Sequence, residues 1–164
     1  MATVYLAHCP LGARTGHEAG RALLRQLYDA HAGGEMPPIQ IAPGGKPHFA
    51  WGSWHFSISH TKGHAFCALS DAPIGIDAEE MDRKIDLRLA DKILSPGEKA
   101  QFDQAADKRA ALLRFWVLKE AAAKLAGTGL RSYPNHTDFS LADSRLAVKD
   151  GCIIAILQEE HHAF

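Results

Sequence analysis

Hydrophobic and polar positions follow two periods along this chain, and the changes of period divide it into elements. Thr3–Ala7 is a short β-prone stretch that meets breakers at Pro10 and Gly12. Ala19, Ala22, Leu23, Gln26 and Leu27 then recur at helical spacing, which predicts a helix over Thr15–Tyr28. Gly33-Gly34, Pro37-Pro38 and Gly44-Gly45 break up His31–Pro47 and leave room for a short strand at Ile39–Ile41. From Trp54 the period becomes two. Trp54, Phe56 and Ile58 alternate with His55, Ser57 and Ser59, the pattern of a half-buried strand. Two more strands, His64–Ser70 and Ile74–Ala78, follow turns at Thr61-Lys62-Gly63 and Asp71-Ala72-Pro73, so an antiparallel meander is expected.

The second half is mostly helical before it returns to strands. Asp82–Lys92 is charged and helical in part. Ser95-Pro96-Gly97-Glu98 opens a helix with a cap, a first-turn proline and a capping-box glutamate. Asp107 caps a long helix that includes Arg114–Leu125, rich in strong helix formers and stopped by Gly127. Strands are expected at Asp138–Leu141, Leu146–Val148 and Cys152–Leu157, with a turn at Lys149-Asp150-Gly151. There is no strict repeat, but the plan is duplicated: helix then strands up to Asp77, helices then strands after it. The expected class is α+β.

Composition narrows the possibilities. The 164 residues suffice for one compact unit or two small halves sharing a core, and 46% hydrophobic residues are ordinary for a globular chain. A net charge of −1 argues against a nucleic-acid binder. No apolar run reaches membrane-spanning length and no signal peptide is evident, so a chain without a membrane role is expected. Cys9, Cys67 and Cys152 are too widely spaced for a metal or disulfide framework, which favours a reduced, cytoplasmic protein. His55, His60, His64 and Cys67 lie close in sequence but match no usual zinc spacing, and His161 with His162 reads as a solvated tail. Gly44-Gly45-Lys46 lacks the glycine spacing and the hydroxyl residue of a phosphate loop.

Three carboxylates stand out. On the long helix Leu113, Trp116, Val117 and Ala121 form an apolar face, with Glu120 at its centre and Lys124 one turn on. A carboxylate on a buried face calls for a cation, a metal or a donor. On the third strand Asp77 and Glu79 share a face, roughly 7 Å apart at the usual rise of a strand. Gly75 on that face leaves room for close approach by backbone or ligand. Oxygen donors alone favour a hard cation, Mg²⁺ before Ca²⁺. Lys124 is placed to meet a phosphate oxygen there, with His60, Lys46 and Arg14 as further anion contacts; Arg21 and Arg25 read as solvated charges. His60 by itself reads equally as an ordinary strand-end histidine. The residues alone point to a metal-assisted pyrophosphate site.

Ile74-Gly75-Ile76-Asp77-Ala78-Glu79, followed by Trp116-Val117-Leu118-Lys119-Glu120-Ala121-Ala122-Ala123-Lys124, resembles the signature of the 4′-phosphopantetheinyl transferases. Gly45-Lys46-Pro47, Phe56-Ser57-Ile58-Ser59-His60 and Arg14 with Gly20-Arg21 are similar, in order, to elements of the surfactin-synthetase-activating branch. The resemblance implies two similar α+β halves in a pseudo-twofold arrangement, residues 1–76 and 77–164, with the site between them in a monomeric pseudo-dimer. It implies transfer of 4′-phosphopantetheine from coenzyme A to a serine of an apo carrier protein, with release of adenosine 3′,5′-bisphosphate. Asp77, Glu79 and Glu120 would hold Mg²⁺, and Lys124 would contact the phosphates. His60, Ser59 and Arg14 would hold coenzyme A, with Lys46 and Pro47 near its adenine end. Glu120 or a metal-bound water would take the serine proton. The carrier contact is expected around Asp82–Phe102.

The chain departs from the branch in having Ser57 where asparagine is usual, and in the little that precedes Arg14, so it reads as a short member. The rival readings are a non-catalytic module that binds coenzyme A or a carrier protein, another Mg²⁺-dependent pyrophosphate enzyme, and a structural domain with an incidental ion pair.

Overall fold

Two antiparallel sheets of the same plan carry the fold, which is described by a computed structural model covering residues 2–128 and 137–159. The expected tail at His161 and His162 lies outside the described residues. The elements run β1 (Val4–Pro10), α1 (Gly16–His31), β2 (Ile39–Ile41), β3 (Pro47–Phe49), β4 (His55–His60), β5 (His64–Ser70) and β6 (Ile74–Glu80). A short 3₁₀ turn at Leu87–Leu89 then leads to α2 (Ala90–Ile93), α3 (Pro96–Gln104), α4 (Lys108–Ala126), β7 (Leu146–Lys149) and β8 (Cys152–Gln158). One sheet has the order β1-β5-β4 and the other β6-β8-β7. Each is therefore a strand, a helix-bearing connection and a hairpin whose last strand lies in the middle. The class is α+β, as expected.

The meander expected over β4, β5 and β6 ends after two strands. Both edges of β5 are taken, by β1 and by β4, so β6 leaves to pair with β8, with Asp77 opposite Ala155. Period-two alternation then sorts three apolar clusters. Ala65, Cys67 and Leu69 of β5 pack against Leu23, Leu24 and Leu27 of α1. Ile153, Ala155 and Leu157 of β8 pack against α4. Between the sheets lies a cluster built mainly from strand residues, including Phe66, Ala68, Ile74, Ile76 and Ile154. The order from one side to the other is helix, sheet, sheet, helix.

The helix ends follow their expected chemistry. Thr15 and Ser95 form capping boxes with Glu18 and Glu98, Asp107 caps α4, and Gly127 ends it in the left-handed conformation at φ 72°. The β7–β8 turn uses positive φ at both Asp150 and Gly151.

Three expectations need correction. Asp138–Leu141 is not a strand: Phe139 N–H donates to Glu98, Gln101 Nε2 donates to the Phe139 carbonyl, and Leu141 N–H donates to Gln101 Oε1. Side chains of α3 satisfy the backbone that a neighbouring strand would otherwise pair. Burial on α4 also extends well beyond a single stripe, taking in Leu112, Phe115, Leu118 and Ala123, because the helix is packed by a sheet on one side and by α2 and α3 on another. Trp116, Glu120 and Lys124 form a half-buried stripe instead of the centre of a dry face. Finally, β4 is not half-exposed, since Ser57 and Ser59 are buried. Within the loop-rich passage before it, β3 pairs with β2 as a short antiparallel ladder.

Candidate active site

Asp77 is where α4, β4 and β6 converge. Glycine at position 75 permits this convergence: a Cβ there would lie 2.2 Å from the Ala121 carbonyl oxygen and 2.5 Å from Leu125 N. The helix backbone thus rests directly on β6, and it sets Glu120 and Lys124 over the face that carries Asp77 and Glu79. On the flank, Ser57 Oγ accepts from Ile76 N–H and Ser59 Oγ from Ala78 N–H, both at 3.0 Å. These hydroxyls satisfy the free edge of β6 without a ninth strand. That is why the polar face of β4 is buried.

Asp77 is 7% exposed. Its Oδ1 accepts from Lys124 Nζ at 3.2 Å and from Ser59 Oγ at 3.3 Å, while its buried Oδ2 has no hydrogen-bond partner among the described residues. Lys124 Nζ also donates to the Ile58 carbonyl at 3.2 Å, which ties α4 to β4. Glu79 accepts from the Arg83 guanidinium and is also hydrogen-bonded to Trp116. Burial raises the proton affinity of Asp77 against the pull of Lys124, and that of Glu79 against the pull of Arg83. Glu120 is pushed up to about 7, by burial first and then by the charge of Asp77. The charges of Asp77 and Glu79 both act on Glu120, against the pull of Lys124 and Arg83. An unpartnered buried oxygen in an all-oxygen donor set fits a hard divalent cation.

The phosphate-side residues fall into two groups. Lys46, Pro47 and Lys124 line a cleft of about 220 Å³ with Gly44, Ser57 and Gly127. Lys46 Nζ donates to the Leu125 carbonyl at 3.1 Å, and burial lowers its pKa. On the other flank, His60 and Glu79 line a second pocket with Lys62 and Arg83. His60 is packed on the start of α1, where a Cβ on Gly16 would lie 2.3 Å from the imidazole. Arg14 adjoins that helix start, but its guanidinium is turned to its own loop, donating to the carbonyls of Leu11 and Pro10. Ser59 is only 4% exposed, and its hydroxyl is occupied by Asp77 and Ala78.

Arg83 and the pair Glu98–Lys119 were absent from the sequence reading of the site. Arg83 lies 5.5 Å from the Trp116 ring while it pairs with Glu79, so it walls one side of the carboxylate group. Its four-residue offset from Glu79 was the available signal, although the pair spans a strand end. Lys119 Nζ meets Glu98 Oε1 at 2.7 Å with both side chains buried. The capping-box pattern accounted for Glu98 and hid its second role.

The geometry describes a group of carboxylates flanked by lysine, arginine and histidine side chains where α4, β4 and β6 meet. The description "4′-phosphopantetheinyl transferase superfamily" belongs to the family model that matches residues 73–162, more than half of the chain, and the chain belongs to that superfamily. It is 39% identical over 116 residues to the 4′-phosphopantetheinyl transferase psf-1 of Bacillus pumilus, covering 70% of this chain and 46% of that protein. Identity to the 4′-phosphopantetheinyl transferase HetI of Nostoc sp. is 32% over 122 residues, 68% of this chain and 52% of the relative. A 4′-phosphopantetheinyl transferase of Bacillus subtilis is 36% identical over 92 residues, 52% of this chain and 39% of the relative. The chain thus spans about half the length of the curated relatives it matches.

Proposed function

We propose that this protein transfers 4′-phosphopantetheine from coenzyme A to a serine of an apo carrier protein. Family membership supports the reaction class, and the observation that carries the site is the partnerless Asp77 Oδ2 beside Glu79, Glu120 and Lys124. In the reaction the serine oxygen forms a bond to the phosphorus next to pantetheine. The bond from that phosphorus to the bridging oxygen breaks, and adenosine 3′,5′-bisphosphate leaves.

Asp77, Glu79 and Glu120 would hold Mg²⁺, which when bound neutralises pyrophosphate charge. Lys124 leaves Asp77 Oδ1 for, or shares it with, a phosphate oxygen, and so favours departure of the nucleotide. Glu120 would accept the serine proton through a carboxylate oxygen left free by the cation; its proton affinity, raised in the cation-free site, falls when the cation binds. Lys46 and Pro47 receive the nucleotide end of coenzyme A in their cleft, and His60 with Arg14 receives phosphate at the mouth of α1. Ser59 acts through Asp77, fixing the carboxylate by a hydrogen bond.

The two sheets of equal plan support a pseudo-twofold pair of halves, near residues 1–76 and 77–164, within one monomer. The three free cysteines suit a cytoplasmic setting. Among the described residues no helix is long and apolar enough to cross a membrane.

Mass spectrometry of apo acyl carrier protein incubated with the protein, coenzyme A and Mg²⁺ tests the proposal. The expected result is a gain of one phosphopantetheine, abolished by EDTA and reduced by orders of magnitude in Glu120→Gln. Binding of coenzyme A without modification of fatty-acid, polyketide and peptide carriers alike would overturn it in favour of a binding module.

A further inference from the structure

We propose that His64, Glu80 and Cys152 form a second cation site, selective for Zn²⁺ or a similar divalent transition metal and distinct from the Asp77 cluster. Each ligand comes from a different strand, two of them in one sheet and the third in the other. Glu80 is the last residue of β6 and lies directly opposite Cys152, the first of β8. His64 opens β5 in the facing sheet. Because β6 alternates, Glu80 points to the inter-sheet side with Ala78 and Ile76, away from Asp77 and Glu79. Neighbours in sequence thus serve separate sites.

The three side chains are close enough to share one ion. Cys152 Sγ lies 3.7 Å from His64 Nδ1 and 3.5 Å from one Glu80 oxygen, Oε2, while His64 Nδ1 lies 3.3 Å from the other, Oε1. Zinc bonds of about 2.0 Å to nitrogen and oxygen and about 2.3 Å to sulfur place tetrahedral edges at ~3.3 Å for N–O and ~3.5 Å for edges to sulfur. All three ligand atoms lie within 4.8 Å of one another, so no large backbone movement is needed. A hard cation would not select this nitrogen, oxygen and sulfur set, whereas Zn²⁺ does.

Outer partners already hold the carboxylate. Thr61 Oγ1 donates to Glu80 Oε1 at 2.7 Å and Gly63 N–H donates to it at 3.2 Å, leaving Oε2 turned toward the sulfur. Such support of a ligand is a usual part of metal sites. His64 and Glu80 are partly exposed, and Glu80 borders the pocket of His60, Lys62 and Arg83, which brings solvent to the carboxylate side of the site. On binding, a sulfur–metal bond replaces the Cys152 S–H bond and the thiol proton passes to water. The ion would clip β5 of one sheet to β6 and β8 of the other.

Co²⁺ titration of the full chain, followed by optical absorption, tests the site, with Zn²⁺ as the competitor. The expected result is a thiolate-to-cobalt charge-transfer band with tetrahedral d–d bands, saturating at one equivalent and erased by Zn²⁺. A histidine pair such as His161 and His162 cannot produce the thiolate band. The band should vanish in Cys152→Ser and persist in Cys9→Ser. His64→Asn, with folding checked by circular dichroism, should weaken Zn²⁺ binding by at least about tenfold in calorimetry. Absence of the band in the native chain, its survival in Cys152→Ser, or unchanged Zn²⁺ affinity in folded His64→Asn would each overturn the proposal.

Discussion

At Asp77 one carboxylate oxygen is held by Lys124 and Ser59 while the other is buried without a partner among the described residues. Nearby, the Glu120 carboxyl is pushed up to about 7, by its own burial first and by the charge of Asp77 second. A carboxyl whose affinity for protons is higher folded than unfolded stabilises the fold below its unfolded value and loses that contribution as pH rises through its folded value. Metal-free protein is therefore expected to lose stability between about pH 4.5 and about pH 7. Added Mg²⁺ should reverse that loss, raising the melting temperature more at pH 7.5 than at pH 5. Thermal denaturation with and without EDTA at the two pH values measures this. An equal Mg²⁺ effect at both, or none, would count against a cation held by these carboxylates. The residue types and their spacing were readable from the chain; the orphaned oxygen was not, since it depends on which side chains reach Asp77.

Elements meet at positions where side-chain size or charge leaves little freedom. On β6, Gly75 lies under the α4 backbone, and no rotamer change can relieve a Cβ placed 2.2 Å from a carbonyl oxygen. Gly75→Ala should cost about 3 kcal/mol or more, seen as a lower urea midpoint, and should separate Glu120 from Asp77. A substitution tolerated within a few tenths of a kcal/mol would mean that α4 can lift. Between α3 and α4, Glu98 and Lys119 form an ion pair of 0% and 2% exposure. Lys119→Met alone leaves Glu98 charged and buried, and should cost about 3–5 kcal/mol. Pairing it with Glu98→Gln should recover much of that cost in equilibrium denaturation, because the lone buried charge is gone. Lys119 and Glu120 are adjacent in the motif, yet the helix turns them to different environments: Lys119 anchors α4 to α3 and Glu120 faces Asp77. The motif was legible, but this division of labour depended on where α3 lies.

Across the whole molecule, the two sheets are joined by polar contacts at β4 and β6 as well as by apolar packing. Ser57 and Ser59 bind the edge N–H groups of β6, and Lys124 spans from α4 to both strands. Ser57→Ala should strand the buried Ile76 N–H and cost about 1–3 kcal/mol, with unfolding still a single transition by calorimetry. Two separated transitions would show that the halves are not coupled through this joint. The α+β class, the capped helix starts, the Asp-Gly hairpin and the shared face of Asp77 and Glu79 were determined by local sequence, because periodicity, capping and turn chemistry act within a few residues. Tertiary structure alone decided that β6 leaves the meander, that Asp138–Leu141 pairs with side chains instead of a strand, and that β4 turns its serines inward. It also brought together His64, Glu80 and Cys152. Those outcomes depend on which strand edges are already occupied and on residues far apart in the chain that come into contact only once both sheets have formed.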